Sequence, residues 1–274
     1  MRIAVVAPGT PLTADLAARC TELADAHVPG AELLFHPQCF LSEGHFAGSD
    51  AARQDALVEA ANDPNIDAIW FARGGYGSCR IAGDAIERLN DHARAKTYLG
   101  FSDAGFLFAG LYKAGIGRVA HGPMVGDLRR DGGEEAVLRA LRWLVGRDAD
   151  ALEPGLTPAP TVAFNLTVFS QLLGTPLQPD LTDHILLLEE VSEYLYRIDR
   201  AFFHVTGNAN VRKVAGIRLG RCTEIPPNDP PFGMDEEAIA RHWCEVAGIP
   251  YLGRADIGHD PANKVVPFGS EAIC

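Results

Sequence analysis

The feature that most constrains this chain is an alternation in its first half, where short aliphatic runs are each followed by a segment with apolar residues at helical spacing. The runs fall at residues 3–7, 31–36, 66–72, 97–101 and 118–121. Thr13 is placed to cap a helix whose Leu16, Cys20, Leu23 and Ala24 share one face, and Asp50 to cap a second over residues 51–61 with Leu57 inward. Residues 134–145 carry a stripe of Val137, Leu138, Leu141 and Leu144. Such a βαβ succession buries its strands in a mostly parallel sheet covered by helices, whose functional loops lie at the C-terminal strand ends.

This pattern stops near residue 150. Residues 151–161 contain Pro154, Pro158 and Pro160, which oppose both helix and central strand, so the segment reads as a linker between an N-terminal α/β domain (1–150) and a C-terminal domain (162–274). Beyond it come a helix over 166–173, an aliphatic run at 185–188, a helical stretch over about 192–207, a strand at 214–219 and a helix over 236–247. These predict a smaller α+β, β-rich unit.

Of 274 residues, 47% are hydrophobic and 22% charged, as in ordinary globular proteins. A formal net charge of -12 repels phosphate backbones and argues against nucleic acid as a partner. No apolar run reaches the roughly 18–20 residues of a membrane span. The opening Met1-Arg2-Ile3-Ala4-Val5-Val6-Ala7-Pro8-Gly9 reads as a strand and turn rather than a signal peptide, which predicts a cytoplasmic protein. Cys20, Cys39, Cys79, Cys222, Cys244 and Cys274 form no CxxC pair and no zinc spacing, which predicts reduced structural thiols, with Cys20 and Cys244 in apolar helical settings.

Particular places could carry chemistry. Ala72-Arg73-Gly74-Gly75-Tyr76-Gly77-Ser78-Cys79-Arg80 follows a strand, where glycines free backbone N–H groups to face an anion, but it matches neither GxGxxG nor GxxxxGK[ST]. Gly100-Phe101-Ser102-Asp103-Ala104-Gly105 puts a serine on a strand-to-helix turn. That turn either exposes a nucleophile beside the next residue's N–H or merely caps a helix. The run 185–188 ends on Glu189-Glu190, where a carboxylate can orient a histidine or can simply be solvated, and His259 follows Gly258 in a C-terminal loop. Adjacent strand residues point to opposite faces, so only one of the two glutamates can face that histidine.

Taken together, these segments resemble the LD-carboxypeptidase family of serine peptidases, also called muramoyltetrapeptide carboxypeptidases. The likeness runs almost end to end. It is carried by Ile3-Ala4-Val5-Val6-Ala7-Pro8, Phe46-Ala47-Gly48-Ser49-Asp50 with Arg53, the Gly74 turn with Arg80, Gly100-Phe101-Ser102-Asp103 and His121-Gly122-Pro123. It continues through Leu173-Gly174-Thr175-Pro176, Leu188-Glu189-Glu190, Tyr196-Arg197-Ile198-Asp199-Arg200 and Gly258-His259. Departures are Ala163-Phe164-Asn165-Leu166 in place of Gly-Gly-Asn-Leu, Glu190 where aspartate is common, and a short tail.

The resemblance implies a flavodoxin-like or amidotransferase-like first domain and a triad of Ser102 (nucleophile), Glu189 (acid) and His259 (base) between the domains. It also implies an oxyanion hole from the backbone N–H groups of Asp103 and the Gly74-Gly75 turn. It implies removal of the terminal D-alanine from a cell-wall tetrapeptide and a homodimer, while histidines without a metal-ligand spacing such as HExxH predict no metal, and no other cofactor is expected. Arg73 and Arg80 are candidates for reading the substrate's carboxylate. Rival readings are a self-immunity peptidase acting on a peptide-nucleotide antibiotic and a noncatalytic binding domain in which Ser102 only caps a helix.

Overall fold

The computed structural model describes residues 1–270. In chain order it holds β1 (Arg2–Val6), α1 (Ala14–His27), β2 (Glu32–Phe35), α2 (Asp50–Asn62), β3 (Ala68–Phe71), α3 (Ala82–Glu87), α4 (Asp91–Arg94), β4 (Thr97–Gly100), α5 (Gly105–Lys113), β5 (Arg118–His121) and α6 (Gly133–Gly146). There follow β6 (Thr161–Asn165), α7 (Leu166–Leu172), β7 (Ile185–Val191), α8 (Leu195–Gly207), β8 (Gly216–Thr223), α9 (Glu236–Ala247), β9 (Tyr251–Arg254) and β10 (Val266–Pro267).

The strands make two sheets. The first has the order β10-β5-β4-β3-β1-β2, parallel except for β10, which runs antiparallel to β5. The second has the order β6-β7-β8-β9 and is parallel throughout, with helices between its strands. Strand alternation explains how the first sheet is covered on both faces. Ile3, Val5, Trp70 and Leu99 pack with α1 and α6, whereas Ala4, Val6, Phe71 and Tyr98 pack with α2 and α5. That second core continues into the other sheet through Phe164, Leu186 and Leu188. Helix α5 lies between the two sheets and its residues 105–111 are all buried, which is why Phe106-Leu107-Phe108-Ala109-Gly110-Leu111 is apolar on every side.

The connection at 151–160 is tied down. Leu152 bridges to Val265, Glu153 is buried and pairs with Arg218, and β6 begins at Thr161, directly after Pro160. The cap of α2 is Ser49, whose Oγ accepts the Ala52 N–H; Asp50 instead pairs with Arg53 and Arg80. Thr13 caps α1 as its position predicts. Among the described residues Cys20, Cys39, Cys79, Cys222 and Cys244 are free, and Cys274 lies outside the described residues.

Candidate active site

The loops at the C-terminal ends of β3, β4 and β5 lie side by side because those strands are neighbours, and the middle loop carries Ser102. Phe101 is still extended, but Ser102 turns to φ +62° before the chain enters α5. A side chain other than glycine holds this left-handed conformation only under strain, about 1–2 kcal/mol, which the buried α5 and β4 on either side impose. The turn lifts Oγ out of the sheet. There it lies 3.0 Å from His259 Nε2, whose Nδ1 lies 2.6 Å from Glu189 Oε2. The hydroxyl makes no helix-capping bond.

Glu189 is fully buried near the end of β7, where the register shifts between Leu188 and Glu190. Its Oε1 has no hydrogen-bond partner. Burial opposes charging the His259 imidazole, but the charge and hydrogen bond of Glu189 outweigh it and the pKa is raised. His259 also packs against Phe101, the two rings tilted by 55° with centroids 4.7 Å apart. Its loop is fixed by Arg221, which grips both Asp256 and Asp260. Asn263 accepts the Gly258 N–H at 3.1 Å and lies 3.1 Å from His121 Nε2. Burial holds His121 at a pKa of about 4, so its ring stays neutral at physiological pH.

Glu190 faces the opposite way, as strand alternation requires. It accepts from Asn165 Nδ2 (2.7 Å), Thr167 N–H (2.8 Å), Thr167 Oγ1 (2.7 Å) and its neighbour's Val191 N–H (2.9 Å). Burial is the main cause of its raised pKa, against the pull of these donors. Asn165 caps α7 through its Oδ1 while its amide holds Glu190, so the Asn165-Leu166 pair joins β6, α7 and β7.

The glycine-rich turn after β3 comes up against the serine. A Cβ added to Gly74 would sit 2.9 Å from both Ser102 Cβ and Oγ, closer than side chains tolerate, so only glycine admits this approach. Gly75 takes φ +112°. The turn is braced to the elbow by Asp103, whose Oδ2 accepts the Ser78 N–H at 2.8 Å and whose carbonyl accepts the Ser78 hydroxyl. Asp103 thus contributes a side-chain anchor in addition to its place after the serine.

Two cavities meet at Ser102. The larger, about 810 Å³, runs between Tyr76, Phe106, Val168, Leu177 and Glu190; the smaller, about 300 Å³, holds His259, Gly74, Arg73, Arg129 and Arg130. Of the arginines marked in the sequence, Arg73 therefore borders the serine. Arg80 lines neither cavity: it is exposed and bound to Asp50, with its guanidinium 5.4 Å from the Phe46 ring. Sequence reading missed Asn165, Thr167, Asn263 and Arg221 as supports and Arg129-Arg130 as lining. The last pair had one signal, its place in the loop after a strand of the parallel sheet. Among the described residues no cluster of side chains could hold a metal ion, and no helix is long and apolar enough to cross a membrane.

The fold and the comparisons define a peptidase built on two α/β units. Family models for the LD-carboxypeptidase N-terminal and C-terminal domains match residues 3–122 and 159–273. A protein of Synechocystis sp. provisionally named as a carboxypeptidase is 35% identical over 254 residues, covering 89% of this chain and 81% of that one. The murein tetrapeptide carboxypeptidase of Pseudomonas aeruginosa is 25% identical over 289 residues, covering 99% and 92%. The crystal structure of muramoyltetrapeptide carboxypeptidase from Oxalobacter formigenes shares the fold with a TM-score of 0.81 at 23% identity, covering 97% of this chain and 93% of that one. The chain belongs to the LD-carboxypeptidase family.

Proposed function

We propose that this protein is a serine LD-carboxypeptidase that removes the terminal D-alanine from murein tetrapeptides through an acyl-enzyme. The observation that carries this reading is the unbroken hydrogen-bonded series from Ser102 through His259 to Glu189 at the junction of two cavities. His259 Nε2 takes the Ser102 proton as Oγ bonds to the scissile carbonyl carbon, and the backbone N–H groups of Asp103 and the Gly74-Gly75 turn hold the oxyanion. The C–N bond then breaks, His259 returns the proton to the departing amine, and D-alanine leaves. Water attacks the ester by the same route in reverse and restores the serine hydroxyl. Glu189 holds the imidazole by Nδ1 and stabilises its protonated form.

Support comes from the Ser102 hydroxyl being engaged by a base rather than by a helix end, and from the relative named murein tetrapeptide carboxypeptidase, which aligns over almost all of both chains. The two-domain organisation split at residues 151–161 gives the reaction its geometry, because the serine comes from one side of that split and the acid and base from the other. Work in the cytoplasm on imported wall fragments would make this a recycling step. The test is mass spectrometry of tetra-, tri- and pentapeptide fragments after incubation with the purified protein. An L,D-linked tetrapeptide should lose one D-alanine, while the all-L version and a D,D-terminated pentapeptide should react poorly. Equal rates on all three contradict the reading, and preferred cleavage of a peptidyl sulfamoyl nucleoside would replace it with antibiotic self-immunity.

A further inference from the structure

The smaller cavity beside Ser102 is charged against the trend of the molecule. In a chain with formal net charge -12, Arg73, Arg129 and Arg130 line a space of about 300 Å³ that also contains the serine and His259. Arg73 comes from the loop after β3, and the other two from the loop after β5. These loops flank Ser102 on its own loop after β4 and are locked together by the Gly126 N–H donating to the Ala72 carbonyl at 2.8 Å. Gly126 must be glycine there, since a Cβ would fall 2.7 Å from Arg73 Cβ.

The three cations are unequally satisfied. Arg130 pairs with buried Asp127. Among the described residues Arg73 bonds only the Pro11 carbonyl, at 3.3 Å, and its Nε is buried without a partner, while Arg129 bonds only the Gly126 carbonyl, at 3.1 Å. Neither has a carboxylate partner among the described residues. Guanidinium groups do not discharge by losing a proton, so gathering them in one recess is unfavourable unless an anion enters. Arg73 shows this: burial, and then the like charges of Arg129 and Arg130, make its charged form harder to keep.

We propose that this cavity is the subsite for the departing amino acid, with Arg73 and Arg129 binding the free α-carboxylate of the substrate's C-terminal residue. This rests on the reading of the protein as a carboxypeptidase and adds what that reading lacks, a group that distinguishes a chain end from an internal bond. The large cavity, on the other side of Ser102, takes the acyl portion of the peptide. In this arrangement the fixed cations beside the serine, which pair with a free carboxylate and not with an internal amide, limit cleavage to the last bond.

The test compares kcat/KM for an L,D-tetrapeptide and for the same peptide with its terminal carboxylate converted to an amide. The enzymes are wild type, Arg73→Gln, Arg129→Gln and Arg80→Gln, each checked for an unchanged melting temperature. Wild type should favour the acid by about tenfold to a hundredfold, the range of charge-assisted hydrogen bonds. Arg73→Gln and Arg129→Gln should lose that preference chiefly through the acid substrate, with the amide rate little altered. Arg80→Gln should keep it. A wild-type enzyme that cleaves acid and amide equally overturns the subsite and leaves carboxypeptidase chemistry standing. So do arginine variants that slow both substrates by one factor. No turnover of either peptide by wild type overturns the function and the subsite together.

Discussion

Replacing each of the adjacent carboxylates at the end of β7 with glutamine should separate catalysis from stability. Glu189 has one oxygen on His259 Nδ1 at 2.6 Å and the other buried without a partner. A glutamine can turn its carbonyl toward Nδ1, which buries an unpaired NH2. It can instead turn its NH2 that way, which leaves an unpaired oxygen in a place that already tolerates one. The second arrangement is easier, and it forces the tautomer whose Nε2 carries the proton and cannot accept from Ser102. Loss of the carboxylate charge and of the correct tautomer predicts a fall in kcat on the order of 10³ to 10⁴, or about 4–5.5 kcal/mol of barrier. Stability should change by less than about 1 kcal/mol, because one hydrogen bond and one unpaired atom are kept. Glu190→Gln inverts this pattern. All its contacts are donors and two are backbone N–H groups that cannot reverse, so an NH2 on either oxygen's position meets a donor head-on. That predicts a loss of about 1–3 kcal/mol and a melting temperature lower by several degrees, with a much smaller effect on kcat. Steady-state kinetics and thermal melts on the two purified variants give four numbers. An inactive Glu190→Gln beside an active Glu189→Gln would refute the assignment of the acid, and equal melting temperatures would refute the account of Glu190.

Ser102→Ala should abolish hydrolysis and leave the melting temperature within about two degrees of wild type; near-normal turnover would remove the serine from the mechanism. Gly74→Ala should lower kcat by about ten- to a hundredfold and lower the melting temperature as well, since its Cβ would fall 2.9 Å from both Ser102 Cβ and Oγ and the elbow itself must shift; a wild-type rate would show that the turn does not press on the serine. The pH profile of kcat/KM should fall on the acid side as His259 gains a proton. Because the folded pKa is raised, that limb should lie above the ordinary histidine value of about 6.5 and move to lower pH in Glu189→Gln. A limb at or below about 6.5 in the wild type would contradict the pairing.

Where local pattern and local structure coincide, the sequence carried the fold. β5 and α9 fall within the bounds read from residue spacing, and α6 and α7 differ from theirs by a residue or so. β6 was hidden because Pro158 and Pro160 precede it so closely that the strand looked like the end of a linker. β9 contains Gly253 and β10 spans only two residues, so neither has a periodicity to detect, and both exist through pairing with distant strands. The cap of α2 was misplaced by one residue because Ser49 and Asp50 are both good capping residues, and only the positions of Arg53 and Arg80 decide between them. Ser102, Glu189 and His259 could be singled out one at a time from local pattern, but only the family resemblance joined them, since no local rule relates residues so far apart. Apart from its place after a strand, nothing local sets the Arg129-Arg130 pair apart from other charged residues, and the strand order is what puts its loop beside the serine.

The segment bearing His259 leaves β9 in one sheet and enters β10 in the other, and close to it the chain's earlier crossing pairs Leu152 with Val265. The molecule is therefore sewn across twice. A protein joined by one tether can be cut there and its pieces made separately, but here a piece stopping before β6 would bare the edge of β5, and its complement would carry an orphan strand. New termini opened in an exposed loop within either half would preserve both stitches, whereas gene fission between the halves would cut one of them and leave the other to reunite the pieces. For an engineer, modular exchange of the halves is therefore closed.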